Sequence, residues 1–317
     1  MAVYTQVSAE AASALLARYD VGKLIAMKGI AEGVENSNFL IETDHSRFIL
    51  TLYESRTNPA DLPYFHDLLA HLHAKGCLVP RFIEDCKGIW LQDIAGRKGC
   101  LIEFLSGISV SEPQADVAHN VGQALGGMHA SLDGFSQTRP NPLGLRDWRL
   151  LLDKCDSVES EKLLPGLTAR IAAECDYLER NWPNDLPTSA VHTDLFPDNV
   201  LTLDGKVTGL IDFYFACTDA RAYDLAVTHS AWSFSTDGSV YNAEIGHAIV
   251  AGYREQIDLS DAERVALTIL ARGSCLRFLL TRLYDWINTP ADAMVSRKDP
   301  LAFLRRLDHY TAHGLFA

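Results

Sequence analysis

Two short stretches of the sequence hold residues that together could transfer a phosphoryl group. The first reads HTDLFPDN at 192–199, and the second reads LIDFY at 210–214. Transfer from ATP requires a carboxylate that accepts the proton of the attacking hydroxyl, and oxygen ligands that hold Mg²⁺ against the phosphates. Asp194 is the predicted base, while Asn199 and Asp212 supply the hard oxygen atoms that Mg²⁺ prefers.

The spacing of these residues supports the same chemistry. Asp194 and Asn199 are separated by four residues, as in the kinase catalytic loop, and Asp212 follows at the place of the kinase metal-binding aspartate. Either half alone would be read as an ordinary loop, but the ordered pair with hydrophobic strands on both sides favours catalysis. Hydrolysis by a Ser/His/Asp triad fits less well, because the sequence has no G-x-S-x-G turn.

A second candidate region is the glycine-bearing turn GIAEGVENSN at 29–38. Such a turn between two strands can present backbone N–H groups to phosphates, and its expected nucleotide-binding residues are Gly29, Gly33, Asn36, Ser37 and Asn38. It is neither a G-x-G-x-x-G loop nor a Walker A loop, so a plain hairpin turn is the alternative. Its position ahead of the catalytic stretch favours a nucleotide loop.

Three further features are predicted to be structural. His129 lies on a predicted helix and is expected to be a hydrogen-bonded histidine of the interior. The adjacent pair Gly126 and Gly127 on the same helix is expected to permit close helix packing. His192 is expected to brace the backbone of the catalytic stretch.

The order of predicted elements indicates two lobes. The first hundred residues read as strands with two helices, whereas the chain from residue 112 onward reads as mostly helical. This pattern predicts an α+β, bilobal protein with lobes at 1–105 and 106–317, and a cleft between lobes is a common ligand site. The predicted helices are 8–19, 61–74, 163–181, 241–256, 262–286 and 300–312, and the predicted strands include 38–43, 47–54, 200–203 and 207–211.

Composition excludes several classes of partner. The 317 residues contain 28 Lys and Arg against 41 Asp and Glu, a formal charge of −13. An acidic chain repels nucleic acid and anionic lipid, so neither is an expected partner. The sequence shows no secretory signal and no span long enough to cross a bilayer. Its seven scattered cysteines fit unpaired thiols in a reducing cytoplasm, which is the expected location.

At these residues the sequence resembles the aminoglycoside phosphotransferase-like kinases, which share the bilobal protein-kinase fold. Within that family it is most similar to the bacterial homoserine kinases of this fold. The segments that carry the resemblance are GIAEGVENSNF at 29–39, FILTLYE at 48–54, HTDLFPDNVL at 192–201, GLIDFYFAC at 209–217 and YDLA at 223–226.

The resemblance implies phosphorylation of L-homoserine by ATP with Mg²⁺, giving O-phospho-L-homoserine for threonine biosynthesis. It implies that the backbone at Glu103 and Leu105 faces adenine. It also places Thr51 where kinases usually carry a basic residue for the α- and β-phosphates. Arg47, Arg56 and Lys28 are the candidate replacements for that cation.

Homoserine is a zwitterion, so its pocket needs a cation for the carboxylate and acceptors for the ammonium group. Asp224 of the YDLA segment is not a candidate for this pocket, because it is expected to be structural and to brace the catalytic stretch. The alternatives are another alcohol kinase, acting on an aminoglycoside, choline or methylthioribose, and a nucleotide-binding regulator without catalysis. The candidate substrate residues are Tyr214, Arg221, His229, Trp232, Arg277 and Arg282.

Overall fold

The computed structural model describes residues 5–30, 36–54, 57–289 and 297–316. The chain divides into two compact units, Met1–Ser106 and Gly107–Ala317. The predicted boundary, between residues 105 and 106, differs from this division by one residue, because Ser106 belongs to unit 1.

Unit 1 is built on an antiparallel sheet with two helices. Its sheet order is β1-β2-β3-β6-β4, and β5 also pairs with β6. The strands and helices are β1 (Leu24–Ile30), β2 (Ser37–Thr43), β3 (Arg47–Leu52), β4 (Phe82–Ile83), β5 (Leu91–Ile94), β6 (Arg97–Glu103), α1 (Ala9–Leu16) and α2 (Leu62–Ala74).

Along β2 and β3, side chains alternate between the two faces of the sheet, and one face packs into the core of unit 1. Phe48, Leu50 and Leu52 are buried in a core that also contains Leu15 and Leu16 of α1. Because successive side chains of a strand point to opposite faces, this period of two directs one set into the core. Ser8 caps α1, since its side chain accepts a hydrogen bond from the backbone N–H of Ala11 at 3.2 Å.

Unit 2 is mostly helical and carries two small antiparallel sheets. One sheet has the order β10-β9-β7, and the other pairs β11 with β8. Its strands are β7 (Ile108–Ser109), β8 (Thr188–Val191), β9 (Val200–Leu203), β10 (Lys206–Leu210) and β11 (Cys217–Ala220). Its helices are α3 (Ala115–Ala130), α4 (Leu145–Asp153), α5 (Ser157–Leu163), α6 (Leu167–Asn181), α7 (Arg221–Trp232), α8 (Ala243–Arg254), α9 (Asp261–Asn288) and α10 (Leu301–His313).

Helices α3 and α8 approach each other closely through glycine. A Cβ added at Gly126 would lie 2.8 Å from the carbonyl oxygen of Tyr253, and one at Gly122 would overlap the backbone of Ile249. Nothing lies within 4 Å of a Cβ added at Gly127. The predicted role in helix packing is therefore confirmed for Gly126, whereas Gly127 faces open space.

The structure corrects the predicted helix 163–181. Helix α5 ends at Leu163 and α6 begins at Leu167, and Gly166 between them adopts a left-handed conformation with φ +82°. A glycine in this conformation interrupts a right-handed helix at little steric cost. Helices α4, α5 and α7 were not among the predicted elements.

All seven cysteines are free thiols. Cys86 is exposed and Cys77 is half-buried, whereas Cys100, Cys155, Cys175, Cys217 and Cys275 are buried. Along the described parts of the chain, no helix has both the length and the apolar character that crossing a membrane would require.

Candidate active site

Two strand ends of unit 2 bring the predicted catalytic residues together. The segment 192–199 connects β8 to β9, and Asp212 follows two residues after β10, the strand paired with β9. The backbone N–H of Ile211 donates to the carbonyl oxygen of Asn199 at 3.0 Å. This bond fixes the segment that carries Asp212 beside the segment that carries Asn199.

The side chain of Asn199 is oriented by Asp194. Its amide Nδ2 donates to the backbone carbonyl of Asp194 at 2.8 Å and to the carboxylate Oδ2 at 3.1 Å. With the nitrogen turned towards Asp194, the oxygen Oδ1 of Asn199 is directed elsewhere. An amide oxygen positioned in this way is a suitable ligand for Mg²⁺.

The pKa values of Asp194 and Asp212 are both raised, and the charge of Asp198 contributes to both shifts. Loss of water around the half-buried Asp194 raises its pKa to about 8, against the opposing charge of Arg277 and with further contributions from Asp212 and Asp198. Although part of Asp212 is open to solvent, loss of water around its carboxylate and the charge of Asp198 raise its pKa to about 6. Crowded carboxylates with raised pKa values fit a site that receives a cation.

This donor set suits a magnesium ion that arrives with phosphates. Within the described ranges, no group of three or more His, Cys, Asp or Glu side chains is arranged to hold a metal by itself. Mg²⁺ is usually bound by one or two carboxylates together with substrate phosphates, so a complete protein cage is not required. Asp212 and Asn199 fit that pattern.

Asp224 at the start of α7 anchors the backbone of the predicted catalytic segment, residues 192–199. Its carboxylate accepts hydrogen bonds from the N–H of His192 at 2.6 Å and of Thr193 at 2.7 Å. The ring of His129 contacts the same carboxylate at 3.1 Å. Burial alone would raise the pKa of Asp224, but the bond and charge of His129 outweigh it and lower the pKa. The predicted structural roles of Asp224 and His129 are confirmed.

Thr193 is held in a strained backbone conformation. Its φ of +60° is left-handed, which is rare for a β-branched residue. Three bonds hold it: Asp224 accepts from its N–H, Arg277 donates to its carbonyl at 2.6 Å, and its hydroxyl donates to the carbonyl of Phe215 at 3.1 Å. Strain of this kind persists where surrounding bonds over-determine the geometry, and it is concentrated at functional sites.

His192 connects the two halves of the site. Its Nε2 contacts the carbonyl oxygen of Ile211 at 2.9 Å, and its Nδ1 accepts from the N–H of Asp194 at 3.2 Å. A carbonyl only accepts, so Nε2 carries the proton and the ring is neutral. Burial, which lowers the pKa of His192, favours the same form. The predicted bracing role of His192 is confirmed.

The sequence profile of the phosphotransferase enzyme family matches residues 26–259. The chain belongs to this family.

Curated relatives of this phosphotransferase match it over nearly its whole length. A homoserine kinase of Zymomonas mobilis subsp. mobilis is 48% identical over 99% of this chain and 98% of its own length. A homoserine kinase of Gluconobacter oxydans is 47% identical over 98% of each chain.

Solved structures of related kinases have the same fold. An amicoumacin kinase superposes with a TM-score of 0.72 at 14% identity, covering 95% of this chain and 96% of its own. A microcompartment-associated aminopropanol kinase superposes with a TM-score of 0.66 at 18% identity, covering 98% and 99%. The predicted α+β kinase-like fold of this phosphotransferase is confirmed.

The structure gives most of the predicted substrate residues partners within the protein. Arg221 donates to both carboxylate oxygens of Glu263, at 2.7 and 3.0 Å. The buried His229 contacts the hydroxyl of Tyr310 through Nδ1 at 2.6 Å. Trp232 donates from Nε1 to the carbonyl of Leu195 at 2.9 Å. We therefore revise Arg221, His229 and Trp232 from substrate contacts to structural residues.

The remaining three predicted substrate residues are Tyr214, Arg277 and Arg282. Tyr214 is half-buried and follows Asp212 by two residues. Arg277 is buried and donates to the carbonyl of Thr193, so it stabilises the backbone of segment 192–199. Arg282 is half-buried and donates one 3.3 Å bond to the carbonyl of Asp299.

The predicted nucleotide residues of unit 1 form a hydrogen-bonded framework. Gly29 lies in β1, opposite Phe39, and Gly33 lies outside the described residues. The hydroxyl of Ser37 donates to Glu54 at 2.7 Å. Asn36 Oδ1 accepts from the hydroxyl of Thr57 at 3.1 Å. These bonds connect the end of the glycine-bearing turn to the segment that follows β3.

Thr51, at the usual position of the phosphate-binding cation, and the candidate replacements in unit 1 differ in their surroundings. Thr51 is buried and donates to Asn38 Oδ1 at 2.7 Å, so its hydroxyl is already used. Arg47 pairs with Glu42 at 3.6 Å, and Lys28 is exposed on β1. Arg56 lies outside the described residues.

The two predicted adenine-facing residues lie at the end of unit 1. Glu103 ends β6 and pairs with Arg81 at 3.2 Å, and Leu105 is half-buried. Arg81 also engages the backbone of Glu103, because the N–H of Glu103 donates to the carbonyl of Arg81 at 2.8 Å. That N–H is therefore already used within unit 1.

Sequence analysis did not single out two charged residues at the site. Asp198 contributes to the raised pKa of both Asp194 and Asp212. Lys298 lies 3.6 Å from the Asp198 carboxylate. Asp198 could have been noticed inside the catalytic segment itself, but Lys298 is a hundred residues further along the chain and no local motif marks it.

Proposed function

We propose that this phosphotransferase transfers the γ-phosphoryl group of ATP to the side-chain hydroxyl of L-homoserine, producing O-phospho-L-homoserine and ADP. The observation that carries the proposal is the match, at about 48% identity and nearly full length, to curated homoserine kinases. The arrangement of Asp194, Asn199 and Asp212 supports a catalytic chain over a regulator that only binds nucleotide. Phosphorylation of homoserine is a step towards threonine.

Asp194 is the proposed base. It would orient the homoserine hydroxyl and accept its proton as the oxygen attacks phosphorus. The raised pKa of Asp194 suits proton acceptance near neutral pH, and cations bound nearby would favour its ionised form. Asn199, through its Oδ1, and Asp212 would hold Mg²⁺. When bound, this ion supplies positive charge that stabilises the phosphates in the transition state.

The proposed nucleotide site uses backbone groups of unit 1. The turn at 29–38 would present N–H groups to the phosphates, supported by the bonds of Asn36, Ser37 and Asn38. The backbone at Glu103 and Leu105 would face adenine. The seven unpaired thiols support a location in the cytoplasm.

The test is an ADP-release assay with purified protein at saturating MgATP. The panel contains L-homoserine, L-serine, choline and an aminoglycoside, and the Asp194→Asn protein is the background control. L-Homoserine should have the highest kcat/KM. L-Serine is one methylene shorter, and misplacement of its hydroxyl by about 1 Å should cost about a hundredfold.

Two results would contradict the proposal in different ways. A higher kcat/KM for choline or an aminoglycoside would leave an alcohol kinase with a different substrate. ATP binding without ADP release for any alcohol would instead support a regulator.

A further inference from the structure

Three buried or half-buried arginines of α9 and α10 lie in unit 2 without acidic partners. Within the described ranges, neither Arg277, Arg282 nor Arg306 forms an ion pair with an aspartate or a glutamate; their hydrogen bonds go to backbone carbonyls. Removal of a guanidinium group from water is costly unless its charge is compensated. None of these three guanidinium groups is therefore neutralised by a direct ion pair within the described ranges.

Arg282 differs from the other two in how few of its donors are used. Arg306 donates to the carbonyls of Ser230 at 2.8 Å and Ser235 at 3.2 Å. Arg277 donates a short 2.6 Å bond to the carbonyl of Thr193. Arg282 has one long bond of 3.3 Å, to the carbonyl of Asp299, among its five N–H donors. A bidentate ligand could still be bound by its guanidinium group.

A group of aromatic rings connects Arg282 to the catalytic segment. Its guanidinium carbon lies 4.5 Å from the ring centre of Phe303. Phe303 stacks on Phe278 at 5.0 Å, and Phe278 packs edge-on against Phe196 at 4.8 Å. Phe196 follows Asp194 by two residues. Packed rings therefore link the guanidinium group of Arg282 to the segment that carries Asp194.

The electrostatics of Arg282 favour the binding of an anion. Burial and the neighbouring charge of Arg306 lower the pKa of Arg282 to about 10, against the opposing effect of Asp194, Asp299 and Asp198. A carboxylate bound to this guanidinium would compensate a charge that the protein leaves unpaired.

We propose that Arg282 binds the α-carboxylate of the substrate while Asp194 receives its hydroxyl group. The inference rests on the proposed homoserine activity and adds the residue that selects an amino acid over an amino alcohol. The ligand class is a small α-amino acid with a side-chain hydroxyl. Arg282 would thus distinguish L-homoserine from 3-aminopropan-1-ol, which has the same hydroxyl and amine but no carboxylate.

The experiment compares these two alcohols in the wild-type protein, Arg282→Met and Arg305→Met. Arg305 is a matched control, because it is an exposed arginine of α10 that also contacts Asp299, at 3.2 Å. For Arg282→Met, we expect kcat/KM for L-homoserine to fall by about tenfold to a hundredfold, mainly through KM. The KM for ATP and the kcat/KM for 3-aminopropan-1-ol should stay within about threefold. Arg305→Met should match the wild type.

A second variant, Arg282→Lys, keeps the charge and most of the side-chain volume. Lysine lacks the planar fork that binds a carboxylate through two parallel bonds, so its kcat/KM for L-homoserine should fall between those of wild type and Arg282→Met. This variant also provides the test if Arg282→Met melts below the assay temperature.

Equal losses for both alcohols would show a structural role for Arg282 and overturn the inference. Unchanged kinetics in Arg282→Lys and Arg282→Met would do the same. Absence of homoserine turnover in the wild-type protein would instead overturn the proposed function, together with the inference that rests on it.

Discussion

The carboxyl group of Asp194 combines a raised pKa with a neighbouring amide that fixes its orientation. Replacement by asparagine keeps the shape and the acceptor for Asn199 but removes the proton acceptor. Asp194→Asn should therefore retain the wild-type melting temperature and lose about 10²- to 10⁴-fold in kcat. Initial rates at saturating substrates, with thermal melting in parallel, are the measurement. Turnover close to that of the wild type would remove Asp194 from the base role.

The effect of losing a proposed magnesium ligand can be distinguished from the effect of losing a nearby negative charge. Asn199→Ala and Asp212→Ala each remove an oxygen ligand, so both should raise the Mg²⁺ concentration needed for half-maximal activity and lower the maximal rate. Asp198→Asn is the matched control, because it removes a negative charge at the site without removing a proposed ligand. If all three variants show the wild-type Mg²⁺ titration, the proposed ligand set is wrong.

Two adjacent glycines of α3 provide a test of helix packing at the level of single elements. Gly126 faces the backbone of α8, whereas Gly127 faces open space. Gly126→Ala should destabilise the protein by about 1–3 kcal/mol through overpacking. Gly127→Ala should stabilise it by about 0.5–1 kcal/mol, because alanine favours the helix interior. Urea unfolding of both variants checks the opposite signs, and two changes of the same sign would contradict the described packing.

Helix α7 was missed by sequence analysis for a physical reason. Helix α7 is buried from Ala222 to Trp232, so it has no polar face and no stripe of period 3.6 by which to recognise it. Strands β2 and β3, in contrast, were predicted because they flank a short polar turn at 44–46. In β3 the side chains also alternate, and one set lies in the core. Residues 192–199 were recognised because their spacing is local.

The partners of Arg221 and His229 could not be predicted from local sequence. Glu263 and Tyr310 lie 42 and 81 residues away along the chain, and only the packed helices bring them together. A buried arginine or histidine therefore looks the same in sequence whether it meets a substrate or another side chain.

At the scale of the whole molecule, buried neutral histidines should limit stability in mild acid. Burial lowers the pKa of His229 to about 3, with smaller effects from His247 and His309, whereas an unfolded histidine has a pKa of about 6.5. Below pH 6.5 the unfolded chain binds a proton that the folded chain does not. Stability should therefore fall as the pH drops from about 6.5, by up to about 1.4 kcal/mol per pH unit for this residue.

The pH effect can be assigned with a pair of variants. His229→Gln should flatten the decline of the unfolding free energy between pH 6.5 and 5, whatever its effect at pH 7. His247→Gln, at an exposed position on α8, should leave the wild-type slope. Urea unfolding at several pH values provides both slopes, and parallel profiles for wild type and His229→Gln would contradict the prediction.

The uneven burial of the seven thiols makes the protein suitable for site-selective labelling. Burial raises the pKa of Cys100 and Cys217 to about 12 and of Cys155 and Cys175 to about 11, and alkylation requires the thiolate. A maleimide dye at pH 7.5 should therefore react first with exposed Cys86, which peptide mass mapping would verify. Cys86 belongs to unit 1, where the proposed nucleotide turn lies. The fluorescence of a dye attached to Cys86 would therefore be a probe for ATP binding that requires no replacement of the buried cysteines.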